Sequence, residues 1–391
     1  MRDRNLQIVI GITLMAILGS SSIGPVLPTM ADALNISHEQ IGLVITVFVL
    51  PIAIGTPISG VLADRFGRKA ILIPALLLFA IAGVACAFAS SFRTLLELRF
   101  IQGIGAAPLE SLALTLISDL YAGKMLTAAM AFNASAIGIS LALYPLISGT
   151  LTTFGWHYPF FLPIAAIPIA FLALFCLKIP QLPKQEDFDL KTYWSDIRRS
   201  LNNRQVIGSL FGVTALFILL FGPYFTYIPI FASNSMDAAA VTLGIIQASM
   251  AISLAFVSSQ IALFPQNLSE ITLIKVSFLV YSLALIITPA IDNVWLLFVP
   301  SVLFGAAHGM AFPSTQALLG QLAPKGSKAG FMAVNATVLS LAQALGPLLA
   351  GGAFLVWGIN GVFVAGASFA IATFFLLSKI FAGRVHSNYQ K

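Results

Sequence analysis

Twelve apolar runs of about 20 residues, separated by polar turns, decide what this chain can fold into. A helix needs a run of that length to cross the ~30 Å hydrocarbon core of a bilayer. The runs fall at about 6–30, 41–63, 71–90, 94–120, 126–153, 158–178, 205–232, 240–264, 271–290, 294–320, 328–356 and 360–381. In lipid every backbone polar group must be bonded internally, which leaves only helices or closed barrels. The apolar–polar alternation of barrel strands is absent, so the spans read as helices. Of the 391 residues only 9% are charged, against roughly 25% in a soluble domain, and mean hydropathy is +0.97. Such a chain cannot clothe a water-facing surface, so a lipid bilayer is its solvent.

The N-terminus, MRDRN and then an apolar run, has the charge order of a secretory signal. The run outlasts the usual 7–15 residue apolar core and ends in GPVLPTM without a cleavage pattern, so it reads as a retained first span. Cys86 and Cys176 sit alone in apolar runs, as packing residues do, with no spacing for a disulfide or metal.

Lysine and arginine give the orientation. With the N-terminus inside, 18 of the 20 bases fall on the inner side; Arg93 lies outside and Arg99 within a span. The net charge of +6 is therefore a topology signal and not a nucleic-acid footprint, and both termini are expected in the cytoplasm of a plasma (inner) membrane protein. One long hydrophilic stretch, QLPKQEDFDLKTYWSDIRRSLNNR at about 180–204, has six spans on each side. The expected organisation is a six-helix bundle over 1–179, a cytoplasmic linker over 180–204 with Trp194 at the interface, and a second bundle over 205–391.

The halves resemble each other. MAFNASAIGISLALYPLISG from Met130 aligns with MAVNATVLSLAQALGPLLAG from Met332, pairing Asn133 with Asn335, Pro145 with Pro347 and Gly149 with Gly351. Gly103 and Gly305 keep the same shift of 202 residues. An ungapped repeat of this kind places two pseudo-symmetric bundles around a shared axis, the arrangement that alternates access to a midplane site.

Charge concentrates in GVLADRFGRKA, between the second and third runs. Gly60 offers a close helix approach, Gly67 a tight reversal, and Arg65, Arg68 and Lys69 an inner-side anchor. Asp64 has the chemistry of a breakable latch, accepting hydrogen bonds from an arginine or a neighbouring helix end. The corresponding stretch of the second half, FPQNLSEITLIK, has almost none of this charge.

This stretch closely resembles the loop 2–3 signature of the major facilitator superfamily, G-x-L-a-D-r-x-G-r-k. GPVLPTM looks like the proline-bearing end of its first helix, and RFIQGIGAA (Arg99–Ala107) is similar to its helix-four motif R-x-x-Q-G-x-G. SLALYPLISG is a changed version of the helix-five motif G-x-x-x-G-P-x-x-G-G of the twelve-helix drug:proton antiporters, with Ser140, Tyr144 and Ser148 at three expected glycines. Pro145, Gly149, Gly346 and Pro347 are then expected to pack helices. The resemblance implies an all-α membrane fold of twelve helices in which helices one, four, seven and ten line a cavity, and in which Asp64 steadies one state of the cycle.

Charge inside a span costs on the order of 3 kcal/mol or more at mid-depth, which makes it a functional candidate. Glu110 is the one acid deep in a span and reads as a proton carrier or a hydrogen-bonded structural acid. Arg99, eleven residues away, shares its helix face about 16 Å along the axis; it reads as a relay group or a snorkelling cation. His308 maps onto Ala106 through the 202 shift and reads as a facing proton partner or a packing residue. Glu97 and Asp119, near span ends, read as solvated. Gln102, Tyr224, Phe225, Tyr227, Gln247, Gln316 and Asn335 suit a cavity for a bulky, partly apolar ligand. No Walker loop, HExxH or nucleophile elbow is present, so neither ATP-driven pumping nor hydrolysis has support, and no cofactor or metal is expected.

The combined expectation is a secondary transporter, not an enzyme, that exports a small amphipathic compound in exchange for protons and works as a monomer. An uptake symporter or metabolite exporter of the same fold is the first rival, and a lipid flippase or non-transporting sensor the second.

Overall fold

In the computed structural model the described residues are 3–179, 203–261, 269–323 and 328–382, without the side chains of 328–330 and 333. Helix accounts for every regular element among them. The first unit contains α1 (Arg4–Ser21), α2 (Leu27–Leu34), α3 (Leu43–Phe66), α4 (Arg68–Cys86), α5 (Phe92–Leu120), α6 (Gly123–Thr152) and α7 (Ala166–Phe175). Then follow α8 (Arg204–Leu219), α9 (Ile228–Met236), α10 (Ala240–Gln260), α11 (Glu270–Ile287), α12 (Phe298–Leu322) and α13 (Lys328–Phe381).

Among the described residues eleven helical stretches are long and apolar enough to cross a membrane. The last, Val334–Phe381, is 48 residues, or ~72 Å at 1.5 Å per residue, over twice the bilayer core. It breaks at Gly358, whose φ of 68° only glycine adopts cheaply, and so supplies the eleventh and twelfth crossings. The expected linker, Trp194 included, lies outside the described residues apart from Asn203 and Arg204.

The chain resolves into two compact units, Met1–Phe188 with Ala239–Ala248, and Asp189–Ala238 with Ser249–Lys391. The start of α10 thus belongs with the first unit. Glycines explain the fit. A Cβ on Gly149 would come under 3.0 Å from the Ala240 carbonyl, and one on Gly244 would meet the Pro145 carbonyl as closely.

The opening span of each unit is discontinuous near its middle. Pro25 cannot donate, and a 3₁₀ turn at Gly24–Val26 separates α1 from α2. Val26 N then bonds the Ile23 carbonyl at 3.0 Å and leaves the Ser22 carbonyl free. The second unit carries a π-helical stretch at Leu220–Tyr227 around Pro223, closed by Thr226 Oγ1 donating to the Phe221 carbonyl at 2.6 Å. Discontinuous membrane helices expose backbone groups where ligands can use them.

The 202-residue shift survives as shared contacts. Gly103 presses on the Phe48 carbonyl, and Gly305 on that of Met250, 202 residues on in both partners. Thr56 Oγ1 donates to the Ala107 carbonyl at 3.5 Å, and Ser258 Oγ to that of Gly309 at 3.1 Å. The repeat therefore conserves where helices touch, which is what makes the halves pseudo-symmetric.

Candidate functional site

The RFIQGIGAA segment lies inside α5 and each motif residue has its own neighbour. Arg99 is 2% exposed. Its Nε donates to the Val44 carbonyl at 3.2 Å, Nη1 to Gln102 Oε1 at 2.8 Å, and Nη2 to the Gly19 carbonyl at 2.9 Å. Its guanidinium carbon stands 4.1 Å from the Phe48 ring centroid. A Cβ on Gly19 would overlap that ring, so the glycine leaves room for both ring and guanidinium. Gly103 admits the Phe48 backbone, while Gly105 admits the Phe79 nitrogen and Ala75 carbonyl of α4. The motif therefore fastens α5 to α1, α3 and α4 around one buried cation. Gln102, expected in a cavity, gives its carbonyl oxygen to Arg99.

Glu110 is half-buried, two residues past the helix-internal Pro108. Its carboxyl has no hydrogen bond or ion pair among the described residues. Beside it, Ser111 and Ser59 pair at 2.9 Å and tie α5 to α3. Glu97 pairs instead with Arg93 on the surface, Nε to Oε1 at 2.9 Å.

His308 is buried in α12 of the second unit. Its Nδ1 is 2.7 Å from the Tyr281 hydroxyl, and Phe217 and Phe312 enclose the ring at 5.6 and 5.9 Å between centroids. Phe304 stacks on Tyr224 at 4.6 Å and meets Tyr281 edge-on at 4.6 Å, which continues the aromatic chain. Tyr281 had no signal of its own in the sequence, since the 202 shift places it on Phe79.

The charged turn caps α3 and opens α4, with Gly67 at φ 97° making the reversal. Arg68 bridges two acids, Asp64 within the turn and Asp119 at the end of α5, the latter at 3.1 Å. Asp119 is 12% exposed in its side chain, so the expectation that it is solvated is corrected. Lys69 Nζ donates to the Leu174 carbonyl at 2.9 Å, and Arg65 lies over Phe66 at 5.5 Å. No described atom comes within 4 Å of a Cβ at Gly60, so the close approach expected there is not made in this structure. The 202 shift carries Arg68 to Glu270 and Asp119 to Gln321. Gln321 Nε2 donates to Glu270 Oε1 at 3.0 Å, the same link with the charge reversed in one partner and removed from the other.

Two changed residues of the helix-five motif reach α1 and its end. Tyr144 OH donates to the Leu14 carbonyl at 3.1 Å, and Ser148 donates to the Ser22 carbonyl that the 3₁₀ turn sets free. Gly149 and Pro145 receive α10, while Gly346 of α13, next to Pro347, faces Gly222 of the π-helical stretch and Ile218 of α8.

Of the remaining cavity candidates, Gln247 is buried against Gly24 with both amide atoms unpaired among the described residues. Tyr224 is buried with an unpaired hydroxyl. Phe225 is buried beside it, and Tyr227 stacks on Phe354 at 5.7 Å. Asn335 Nδ2 donates to Gln316 Oε1 at 2.8 Å, with Asn335 Oδ1 unpaired.

Known proteins share this architecture. The nucleoside transporter NupG superposes with a TM-score of 0.81 over 97% of this chain and all of its own, at 15% identity. A bacterial homolog of the human lysosomal transporter Spinster gives 0.77 over 97% of each chain, at 17% identity. In sequence, Multidrug resistance protein 1 of Bacillus subtilis is 26% identical over 363 residues, 90% of both chains. The Bacillibactin exporter of the same organism is 34% identical over 164 residues, 40% of this chain and 41% of its own length. A family model described as Major Facilitator Superfamily matches residues 9–272 and 268–390. Nearly the whole chain is covered, and the protein belongs to the Major Facilitator Superfamily of membrane transporters.

Proposed function

We propose that this transporter exports a small, partly apolar organic compound across the inner membrane in exchange for protons, with Glu110 as the proton carrier. The observation that carries this reading is the Glu110 carboxyl, half-buried in mid-span and unpaired among the described residues. An acid held at mid-span for structure alone would have a hydrogen-bonding partner on a neighbouring helix. An acid without one is free to take up and release a proton as its surroundings change. The relatives named for multidrug resistance and for bacillibactin export favour outward movement of organic cargo.

In this reading the bundles over 1–179 and 205–391 rock about the segment 180–204, both termini lie in the cytoplasm, and one chain is the working unit. Arg99 supports coupling by holding α5 rigid, so that Glu110 keeps its place as the cycle turns. His308, one ring nitrogen engaged by Tyr281, contributes through its free nitrogen. The unpaired groups of Gln247, Tyr224 and Asn335 supply hydrogen bonds for cargo, with Gln102, Phe225, Tyr227 and Gln316 shaping the walls. Asp64, Arg65, Arg68 and Lys69 form the latch, and Asp64→Asn slows turnover while leaving insertion intact.

The test is proteoliposomes with an imposed pH gradient and labelled cationic dyes, antibiotics and sugars as cargo. Glu110→Gln is expected to abolish gradient-driven accumulation while retaining dye exchange at equal pH. Gradient-driven accumulation at the wild-type rate in that variant overturns the assignment.

A further inference from the structure

A cleft of about 220 Å³ opens on the first unit between α1 and α7. Arg4, Gln7, Ile8 and Gly11 line one wall, spaced three and four apart and so on a single helix face. Ile169 and Leu172 line the other. The cleft is below the ~300–1,000 Å³ of sites that take drug-sized ligands. Its chemistry is graded along its length: a cation and an amide at the end nearest residue 4, then only aliphatic groups.

The cation is available. Asp3 caps α1, and its carboxylate is taken by Asn5 N at 2.9 Å and by the Tyr121 hydroxyl at 2.6 Å. No acid lines the cleft, and Arg4 has no hydrogen bond or ion pair among the described residues. The apolar part owes its depth to Gly11, where a Cβ would stand 3.3 Å from Ile169 Cδ1.

We propose that this cleft binds one anionic phospholipid, its phosphate on Arg4 and Gln7 and the start of an acyl chain along Gly11, Ile169 and Leu172. The occupant follows from charge complementarity and from the solvent. Basic clefts between membrane helices near the inner surface hold acidic headgroups, and a base next to an aliphatic groove matches a phosphate joined to a hydrocarbon chain. An arginine that merely snorkels needs no groove beside it. That distinction sets the experiment.

Full-length protein is purified from nanodiscs of equimolar phosphatidylglycerol and phosphatidylcholine, and retained lipid is counted by native mass spectrometry. Wild type is expected to keep one phosphatidylglycerol in preference to phosphatidylcholine. Arg4→Gln reduces that preference about fivefold, the contribution of one base at an acidic membrane surface. Gly11→Leu, which fills the groove and leaves every charge in place, reduces it to the same degree. Arg4→Lys retains most of it, and Lys124→Gln, an exposed base outside the lining, leaves it unchanged. Wild-type retention in Gly11→Leu, or equal loss in Lys124→Gln and Arg4→Gln, overturns the site in favour of diffuse surface charge.

Discussion

The interiors of the two units share a scaffold and differ in chemistry. In the first, α5 is fastened by a buried guanidinium that reaches two backbone carbonyls and an amide on three helices. In the second, α12 is packed about two turns beyond the position matching Arg99 by rings around His308, which makes one side-chain hydrogen bond, to Tyr281. The glycine contacts at 103 and 305 are interchangeable, and so are the Thr56 and Ser258 hydroxyl bonds. Duplication has preserved the points at which backbones touch, where steric exclusion tolerates little change. Side chains beyond those points were free to diverge, and among the described residues the two charged groups furthest from a span end, Glu110 and Arg99, both belong to the first unit.

The largest effect is expected from that asymmetry. Arg99→Met removes three donors and leaves buried acceptors without partners, so it should destabilise the protein by about 3 kcal/mol. His308→Phe keeps ring volume and loses one hydrogen bond, for about 1 kcal/mol. Thermal unfolding in one detergent measures both; equal losses would break the contrast between a polar anchor and an aromatic one.

Next come Gly103→Ala and Gly305→Ala. Each added methyl meets backbone, which cannot swing aside, so each should cost about 2–3 kcal/mol and by similar amounts. A tolerated Gly305→Ala with a damaging Gly103→Ala would show that the shared scaffold is less strict in the second unit. A smaller difference separates Asp119→Asn from Gln321→Ala. The first breaks a largely shielded ion pair, for about 1 kcal/mol, and the second an exposed amide link, for less.

The spans, the turn at Gly67 and the 202-residue repeat were legible in the sequence because each is a local or periodic signal. The break at Gly358 between the last two spans was also legible, since length and the glycine both require it. Less legible was what the polar residues do. Sequence alone shows that Arg99 lies in a span but not that Gly19 and Val44 turn carbonyls towards it from distant segments. Ser148 looked like a lost glycine. Its use depends on the Gly24–Val26 turn, which frees the Ser22 carbonyl for its hydroxyl. Asp119 looked solvated because its partner is 51 residues away.

The smallest expected effect concerns a tether that the second unit lacks. Asp3, ahead of α1, accepts from Tyr121, just past α5, and the shift of 202 replaces them by Gln205 and Ala323. The Tyr121 hydrogen bond holds the Asp3 carboxyl below its ordinary range, so its stabilisation is full above about pH 4 and is lost as pH falls through the lowered value. Burial, with the bond to Asp3, raises the tyrosine, whose contribution is full below about pH 10 and fades as pH rises through the raised value. The tether therefore works across the window between about pH 4 and pH 10. Tyr121→Phe should lower the melting temperature at pH 7 and converge on wild type in acid, once pH has fallen through the lowered Asp3 value and the carboxyl is protonated in both. A difference that persists unchanged down the acid limb would show that the tyrosine acts by packing alone, and that the charge asymmetry of the two units stops short of this end of the bundle.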